Sequence, residues 1–421
     1  MPDTARFNAL CRPFAENLFD TVRHLSASPA PRTGVTRLGY SDEEEAVIQY
    51  LETLGRSLGL ETERDAAQNL WMTLPGEDRT LPAVVSGSHA DSVLDGGNFD
   101  GLAGIAAALC PVLWLKENQI TLKRDYRVLA IRSEEQGLIG TTAILGKLKP
   151  EDLARRFTAD GPTLAERLAR RGIDPSPFTA GKPLLDPKSV AAFFEAHIEQ
   201  SLRLDASPDR RVGLVTGIRG LRVHRRIRCR GETAHAGAVD FPFRHDAAAA
   251  CARFVAHMYE RWQHYLALGH DLVVTTGCLA TPDTAIFNKI SGTCDMSLDM
   301  RTLSEATFAA FSREIDETLD FLAKDMGVTF TADPAIIVPP NHSDAALVAK
   351  LEAGAAALGI GIQKLASGAG HDSANFGAAG IPFAMLFIAN QNGSHNPKEA
   401  MKTDDFLAAA AVLTKAVVTF D

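Results

Sequence analysis

The chain has 421 residues, of which 46% are hydrophobic, enough for about two or three domains with substantial cores. Its 52 acidic residues outnumber its 43 basic residues, and the formal net charge of −9 argues against nucleic acid or an anionic membrane as the main partner and favours a small-molecule substrate. The six cysteines contain no Cys-x-x-Cys pair, and the sequence shows neither a secretory signal nor a membrane-spanning apolar run. We therefore expect reduced thiols in a cytoplasmic protein.

Two helices and two strands are predicted before the first polar cluster. Residues 14–25 have the spacing of an amphipathic helix, and Ser41 opens a capping-box pattern before a second helix over residues 46–58. Residues 69–74 and 81–86 are short apolar runs typical of strands. Strands separated by helices predict an α/β fold, with a mixed, mostly parallel sheet flanked by helices.

The stretch over residues 87–101 concentrates possible metal ligands between a strand and an apolar helix. His89 and Asp91 lie two residues apart just past the strand, so their side chains share one face and Asp91 can orient a metal-bound imidazole. Asp100 follows a flexible Asp-Gly-Gly-Asn turn, and its two oxygens can bridge two ions. Taken alone, the stretch favours a plainer alternative, in which the glycines form a turn and Asp100 caps the following helix.

Two further clusters also follow predicted strands. A strand over residues 123–132 leads into Glu134 and Glu135, whose side chains point apart on an extended backbone, so one can bind a metal while the other is a general base. The alternative is a solvated pair of surface carboxylates. His197 follows the apolar stretch Phe-Phe-Glu-Ala, where a lone histidine is more often packed than a ligand.

The last two clusters lie near the carboxyl end of the chain. Ser-Gly-Ala-Gly-His-Asp combines a glycine-rich backbone with His371 and Asp372, and we interpret it as a pocket wall. Gly-Ser-His-Asn-Pro follows a predicted strand over residues 383–388, so His395 is expected just past a strand end, as His89 is. Imidazole combined with carboxylate favours zinc, and manganese, cobalt or nickel also fits these ligands.

A change of pattern between residues 214 and 337 predicts an inserted domain. The order of elements is strand, helix, strand, strand, helix, strand, which is the ferredoxin-like pattern. The insertion divides the predicted ligand set, so we expect residues 1–213 and 338–421 to form a catalytic metal-binding domain and residues 214–337 a lid and dimerisation domain. The predicted elements of the insertion are residues 221–229, 245–265, 272–279, 292–301, 305–326 and 328–332.

Eight motifs occur in order along nearly the whole chain: Gly-Ser-His-x-Asp-Ser-Val, Gly-Gly-x-Phe-Asp-Gly, Glu-Glu-x-Gly, His-Ile-Glu-Gln, Gly-Ile-x-Gly, Thr-Ala-His-Ala-Gly, Ser-Gly-Ala-Gly-His-Asp and Gly-Ser-His-x-Pro-x-Glu. Together they resemble the dinuclear metallopeptidase/amidohydrolase family that contains aminoacylases and carboxypeptidases. Within it, the chain resembles most the branch of N-carbamoyl-L-amino-acid hydrolases, allantoate amidohydrolases and β-ureidopropionases.

The resemblance implies a site with two divalent metal ions, zinc being favoured. Its five ligands would be His89 and His197 for one ion, Glu135 and His395 for the other, and Asp100 as the bridge. Asp91 would orient His89. Glu134 would be the general base, which takes a proton from the attacking water and passes it to the leaving amine. A ureido substrate would yield an amine, carbon dioxide and ammonia.

The resemblance also implies residues that bind a carboxylated substrate. They are Gln200, Asn288, Arg301, Gly368 and His371. Arg301 suits bidentate binding of a carboxylate. His235 matches a catalytic histidine that reaches the partner subunit's site and stabilises the oxyanion there, which makes a homodimer the expected assembly. Without the resemblance, Arg301 would be interpreted as a surface strand end and His235 as a turn residue.

Three departures from the family pattern leave the substrate open. Gln136 follows the glutamate pair, Ser201 replaces the usual glycine after His-Ile-Glu-Gln, and residues 238–243 replace the common Thr-Pro-Met. We predict an amidohydrolase of the hydantoinase/carbamoylase type that acts on a carbamoyl or ureido acid. The alternatives are a deacylase, amidase or dipeptidase of the same fold and, from a different class, a catalytically silent ligand-binding homologue.

Overall fold

A computed structural model describes residues 4–421 of the chain, which contain both α-helices and β-strands. Numbered in chain order, the α-helices are α1 (Thr4–Ser26), α2 (Asp42–Ser57), α3 (Leu102–Glu117), α4 (Ile139–Ile144), α5 (Leu164–Arg170), α6 (Ser176–Thr179), α7 (Ala247–Ala267), α8 (Glu305–Met326), α9 (Ala345–Leu358), α10 (Asp372–Ala378) and α11 (Thr403–Val418). The strands are β1 (Glu61–Arg64), β2 (Leu70–Leu74), β3 (Ala83–His89), β4 (Tyr126–Ile131), β5 (Val190–Ile198), β6 (Val212–Ile218), β7 (Gly220–Arg230), β8 (Ala234–His235), β9 (Val273–Thr275), β10 (Leu279–Ala280), β11 (Lys289–Ile290), β12 (Thr293–Thr302), β13 (Thr329–Ala332), β14 (Ile336–Val338), β15 (Asn341–His342), β16 (Ile362–Ser367) and β17 (Phe383–Ile388).

The chain divides into two structural units. The first unit ends at Thr216 and resumes over Ser343–Asp421, and the second unit is Gly217–His342. The boundaries predicted from the sequence, 213/214 and 337/338, fall a few residues earlier in each case. The catalytic role of the first unit and the lid role of the second remain predictions.

A mixed sheet forms the centre of the first unit. Within this unit its strand order is β1-β2-β4-β3-β5-β17-β6, with β16 also beside β6. Strands β4, β3, β5 and β17 are parallel neighbours, whereas β2 and β6 flank them in the antiparallel sense. These pairings confirm the predicted α/β class. Because parallel strands end at one edge, the segments that follow β3, β4, β5 and β17 meet there.

Helices cover both faces of this sheet. Helix α3 contacts β3, β5, α1 and α11, and it is apolar around most of its circumference because it is buried between the sheet and these helices. Alternate residues of β5 point to opposite faces. Phe194 belongs to the core on the α3 side, whereas Phe193 stacks on Phe376 of α10 with ring centroids 4.0 Å apart.

Two local predictions differ from the structure. Ser41 caps α2 by accepting the backbone N–H of Glu44, as expected, but the Glu44 carboxylate accepts the backbone N–H of Tyr40 instead of closing a capping box. Strand β3 extends to His89, so this residue is the last of the strand and does not lie beyond it. The strand is longer than the predicted run because Gly87, Ser88 and His89 also pair with β4.

The second unit has its own antiparallel sheet, covered by α7 and α8. The sheet order is β10-β12-β7-β13, with β9 also beside β12 and β14 also beside β7. Its core includes Ile227, Phe254, Met300 and Phe311. The single strand predicted over residues 272–279 is instead β9 and β10, separated by a short irregular segment. The name ferredoxin-like stays a prediction for this unit.

No helix within residues 4–421 is both long and apolar enough to cross a bilayer.

Candidate metal centre

Three predicted ligands meet at the carboxyl edge of the parallel strands. His89 ends β3, His197 lies in β5, and Asp100 precedes α3. The two Nε2 atoms of the histidines are 3.3 Å apart, and Asp100 Oδ1 is 3.4 Å from the Nε2 atom of His89 and 3.1 Å from that of His197. All three side chains are buried. The structure therefore brings together the set predicted for one metal ion.

The other oxygen of the same carboxylate faces the second predicted pair. Asp100 Oδ2 is 3.5 Å from His395 Nε2, which is 3.2 Å from Glu135 Oε2. Asp100 thus presents one oxygen to each set of ligands, which is the arrangement of a bridging carboxylate. The geometry favours this interpretation over the helix cap, because Gly101 holds the capping position of α3 and no side chain caps that end.

The spacing of the first set fits a small divalent cation. Zinc bonds to histidine nitrogen and carboxylate oxygen at about 2.0–2.1 Å, so two ligand atoms of a tetrahedral site lie about 3.3 Å apart. The three separations in the His89, Asp100 and His197 set are 3.1, 3.3 and 3.4 Å. Asp100 Oδ1 and Glu135 Oε1 are also buried oxygens without a hydrogen-bond donor in the described chain. The residues present therefore fit a metal centre.

A glycine next to Asp100 makes room for the His89 ring. Gly101 has a φ of +69° and a ψ of −51°, a backbone conformation that residues other than glycine rarely adopt. A Cβ atom at this position would lie 2.4 Å from His89 Nδ1. The close approach of backbone and ring is therefore possible only for glycine.

Asp91 links two of the predicted clusters. Its Oδ1 and Oδ2 atoms accept the backbone N–H groups of Glu134 at 2.9 Å and Glu135 at 3.1 Å. Its Oδ1 atom is also 3.5 Å from His89 Nδ1. The same imidazole nitrogen is 3.2 Å from the Asp91 carbonyl oxygen. Asp91 therefore holds the glutamate pair as well as facing the His89 ring.

The glutamate pair lies on a turn after β4. The extended backbone expected here is wrong, because Ser133 has a φ of +55° and the chain turns at this point. The turn is anchored by Glu44, whose buried carboxylate accepts the Ser133 N–H at 3.0 Å and pairs with Arg132 at 2.7 Å. The two glutamates still face different groups, since Glu135 approaches His395 and Glu134 Oε2 is 4.0 Å from His89 Nε2.

His395 comes from a loop and not directly from a strand end. Strand β17 ends at Ile388, and His395 follows on a segment where it has a φ of +59°. Its side chain is 51% exposed, in contrast to 1% for His89 and for His197. Neighbouring Ser394 donates to Asp100 and to Glu399, and these contacts fix the loop against the bridging carboxylate.

Buried carboxylates favour positive charge where the predicted ligands meet. Burial disfavours the charged imidazole of His89, but Glu134, Asp100 and Asp91 raise its pKa well above the usual range. Burial likewise disfavours ionised Asp100, but the imidazoles of His197 and His89 hold its pKa well below the usual range. The hydrogen bond with Glu135 raises the pKa of His395 to about 9. The potential at this position is therefore suited to a cation.

The substrate-binding residues predicted in the first unit have different relations to the centre. Gln200 donates from Nε2 to Asp100 Oδ2 at 2.9 Å and lies beside the bridge. His371 is buried, with its ring centroid 4.5 Å from that of His197, and burial lowers its pKa well below the usual range. Gly368 follows β16 and is exposed.

The second unit carries the other two predicted substrate-binding residues, Asn288 and Arg301, and the predicted catalytic residue His235. His235 ends β8 and Asn288 directly precedes β11; both residues are exposed, and the Ala236 N–H donates to the Asn288 carbonyl at 3.0 Å. Arg301 lies on β12, and its guanidinium pairs with Asp299 at 2.7 Å.

Two of the residues that depart from the family pattern, Gln136 and Ser201, form hydrogen bonds within the protein. Gln136 Oε1 accepts the Gly39 N–H at 3.0 Å and lies 3.2 Å from Ser133 Oγ. Ser201 donates to Glu199 at 2.6 Å. The carbonyl oxygen of the Gln136 side chain and the hydroxyl of Ser201 therefore have partners within the protein.

Four buried residues around the centre were missed by the sequence analysis. Arg37 donates to the backbone carbonyls of Ala90 and Asp100, and Glu399 accepts the Asp100 N–H. Glu195 accepts hydrogen bonds from two serines, and Asp372, seen in the sequence only as part of a pocket wall, accepts one from Thr141 at 2.6 Å. Their partners are distant in sequence. Asp372, within Ser-Gly-Ala-Gly-His-Asp, and Glu399, within Gly-Ser-His-x-Pro-x-Glu, carried a motif signal, whereas Arg37 and Glu195 carried none.

Comparison with known proteins identifies relatives over the full length. The model of Peptidase family M20/M25/M40 matches residues 73–419. The N-carbamoyl-L-amino-acid amidohydrolase of Paenarthrobacter aurescens is 30% identical over 413 residues, which cover 97% of this chain and 98% of that protein. The allantoate amidohydrolase of Escherichia coli strain K12 is 30% identical over 414 residues, with the same two coverages of 97% and 98%.

A solved structure gives the same result. The amidase of the hydantoinase/carbamoylase family from Burkholderia multivorans superposes with a TM-score of 0.85 at 26% identity, and the match covers 97% of each chain. The resemblance predicted from the eight motifs is confirmed, including its branch. The chain belongs to Peptidase family M20/M25/M40.

Proposed function

We propose that the protein is a metal-dependent hydrolase of a non-peptide C–N bond in an N-carbamoyl-L-amino acid or a related ureido acid. The observation that carries this proposal is the bridging position of Asp100, whose two oxygens face two sets of predicted ligands. Two relatives are named N-carbamoyl-L-amino-acid amidohydrolase and allantoate amidohydrolase, and the substrates in both names carry a ureido group and a carboxylate.

We propose two divalent cations, with zinc favoured by the ligand types and manganese, cobalt or nickel as alternatives. The proposed ligands are His89 and His197 for one ion, Glu135 and His395 for the other, and Asp100 for both. When bound, the cations would polarise the scissile carbonyl and make the attacking water more acidic.

Glu134 is the proposed general base. It takes a proton from the attacking water and returns it to the leaving nitrogen. Burial raises the pKa of Glu134 well above the usual range, which makes its carboxylate a stronger proton acceptor. Its backbone is held by Asp91, so the side chain is presented from a fixed turn. For a ureido acid, one water is consumed and an amine, carbon dioxide and ammonia are released.

We also propose that substrate binding uses Arg301 for the carboxylate and that two copies of the chain form a homodimer. The guanidinium supports the first proposal because it can make two parallel hydrogen bonds to a carboxylate. The second is supported by three nearly uncovered aromatic side chains close in sequence to His235 and Asn288. They are Phe241, Phe243 and Phe287, which are 87%, 71% and 98% exposed. Large apolar side chains left exposed in this way commonly mark an interface.

The homodimer has a direct test. Analytical ultracentrifugation of the wild type should give twice the mass of the chain, and replacing Phe241 and Phe287 by serine should shift the equilibrium toward monomer. Leu184→Ser is the control, because Leu184 is an apolar residue of the first unit that is 44% exposed, and its replacement should leave the dimer intact. A wild type that sediments as a monomer would contradict the proposal.

The catalytic proposal is tested by ammonia release. Protein reconstituted with zinc or manganese is assayed on N-carbamoyl amino acids, allantoate, ureidoglycolate and β-ureidopropionate, with N-acetyl amino acids and dipeptides as controls. Ammonia from a ureido acid supports the proposal and identifies the side chain that the pocket accepts. Amine release from acyl or peptide controls alone would make the protein a deacylase or dipeptidase. If the metal-bound protein releases neither ammonia nor amine from any of these compounds, the protein would be a catalytically silent homologue.

A further inference from the structure

We infer that Glu195 is a positioning residue of the candidate metal centre, whose buried carboxylate ties together the backbone segments that carry His89, His197 and His371. The inference deepens the proposed function and rests on its metal centre. Glu195 is a charged residue in the middle of β5, and it has no role in the proposed reaction itself.

The contacts of the carboxylate are specific. Glu195 is 1% exposed, and its Oε1 atom accepts the hydroxyl of Ser88 at 2.8 Å. Its Oε2 atom accepts the hydroxyl of Ser373 at 2.6 Å and the backbone N–H of the same serine at 3.1 Å. Three donors from two other segments therefore converge on one side chain.

Each of these donors lies within two residues of a histidine at or beside the candidate metal centre. Ser88 directly precedes His89 at the end of β3, and Ser373 lies two residues after His371 at the start of α10. Glu195 itself lies two residues before His197 on β5, so the two side chains share one face of the sheet. A displacement of any one segment would thus stretch a hydrogen bond to Glu195.

Burial of the carboxylate supports a use beyond packing. Transfer of a carboxylate from water to the interior is costly unless hydrogen bonds satisfy it, whereas an apolar side chain fills the same space without that cost. Glu195, His197 and His371 also form a group whose ligand atoms lie within 4.8 Å of one another. Both oxygens of Glu195 already accept hydrogen bonds from serines, which favours positioning over direct metal binding.

The test separates metal affinity from stability. Ser88→Ala and Ser373→Ala each remove a hydroxyl donor to Glu195, and Glu195→Gln keeps the shape while removing the charge. Ser86→Ala is the matched control, because Ser86 is an equally buried serine on the same face of β3 that is not a donor to Glu195. Zinc affinity is measured by competition with a chromophoric chelator, and unfolding of the metal-free protein is measured separately.

We expect Ser88→Ala, Ser373→Ala and Glu195→Gln each to weaken zinc binding by about 10- to 100-fold, as loss of a group that orients metal ligands does. Ser86→Ala should bind zinc as the wild type does. With a ureido substrate, kcat of Ser88→Ala should be restored at saturating zinc, because the variant retains every proposed ligand and the base.

Two outcomes would overturn the inference. One is unchanged zinc affinity in the two Glu195-linked serine variants together with a lower unfolding temperature of the metal-free protein, which would make Glu195 a purely structural residue. The other is an equal loss of affinity in Ser86→Ala. If Glu195→Gln does not fold, the serine variants decide the matter. Weakened zinc binding in a protein that hydrolyses no ureido acid would leave the inference standing while the proposed substrate fails.

Discussion

Replacing Gly101 by alanine is expected to move the His89 imidazole out of the candidate metal centre. A Cβ atom on Gly101 would lie 2.4 Å from Nδ1 of His89 and 2.5 Å from Cγ and Cε1 of the same ring. Non-bonded carbon atoms are stable at about 3.5–4.0 Å, so the ring must withdraw by roughly 1 Å. The backbone cannot absorb the clash without losing the turn that carries Asp100.

The magnitude follows from two separate contributions. Alanine at a φ of +69° adds about 1–3 kcal/mol of backbone strain. A ring shift of roughly 1 Å also exceeds the tolerance of about 0.2 Å that metal–ligand distances allow. Zinc binding should therefore weaken by more than the roughly 10- to 100-fold that loss of an orienting hydrogen bond causes.

A second glycine isolates the effect of the clash. Gly359 ends α9 with a φ of +66°, and no heavy atom lies within 4 Å of a Cβ added there. Gly359→Ala should lose about 1–2 kcal/mol of stability and keep the zinc affinity of the wild type. Chelator competition and urea unfolding of both variants provide the comparison. The reasoning is refuted if Gly101→Ala binds zinc as tightly as Gly359→Ala does.

Three further predictions concern the proposed base, the substrate carboxylate and a buried acid. Glu134→Gln should lower kcat by about 10²- to 10⁴-fold with metal content unchanged by elemental analysis, and unchanged turnover would contradict its role. Arg301→Ala should raise KM for carboxylated substrates by about 10- to 100-fold while kcat changes little, and an unaltered KM would exclude its role. Burial, reinforced by Glu195, raises the pKa of Asp372 from its ordinary value of 3.8 to about 8. The fold therefore favours the protonated acid and loses stability as pH rises between these values, by up to about 1.4 kcal/mol per pH unit. In Asp372→Asn the free energy of unfolding should depend less on pH, as measured by urea unfolding of the metal-free protein. The same pH dependence as in the wild type would contradict the raised pKa of Asp372.

The parts of the fold that were predictable are those with a strong local pattern. The run over residues 383–388 is β17, and the amphipathic segment over residues 305–326 is α8, both with the predicted bounds. A continuous apolar run signals a buried parallel strand, and a 3.6-residue period signals a helix packed on one side. The division of residues 272–279 into two short strands carries no such signal, because it depends on which residues of β12 are available for pairing.

For the candidate site, the sequence predicts which residues carry the ligand atoms, but it does not predict how all of them are positioned. His89 and His197 are positioned by strands, so their convergence follows from the rule that parallel strands end at one edge. His395 reaches the same point from a loop with a left-handed backbone, which no strand or helix pattern encodes. The serines that hold Glu195 are 107 and 178 residues away from it in the chain, so that contact is visible only in three dimensions.

The structure also changes where differences in substrate should be sought. The sequence placed Gln136 and Ser201 near the pocket, which made them candidates for an unusual specificity. Gln136 instead receives the Gly39 N–H and so holds the loop before α2 against the turn that carries Glu134. Ser201 donates to Glu199, whose other oxygen accepts the Leu204 N–H. Substituting either residue would therefore remove a hydrogen bond that holds these segments. Of the three departures, residues 238–243 are the ones that expose large apolar side chains, Phe241 and Phe243, so we expect a difference in substrate to arise there first.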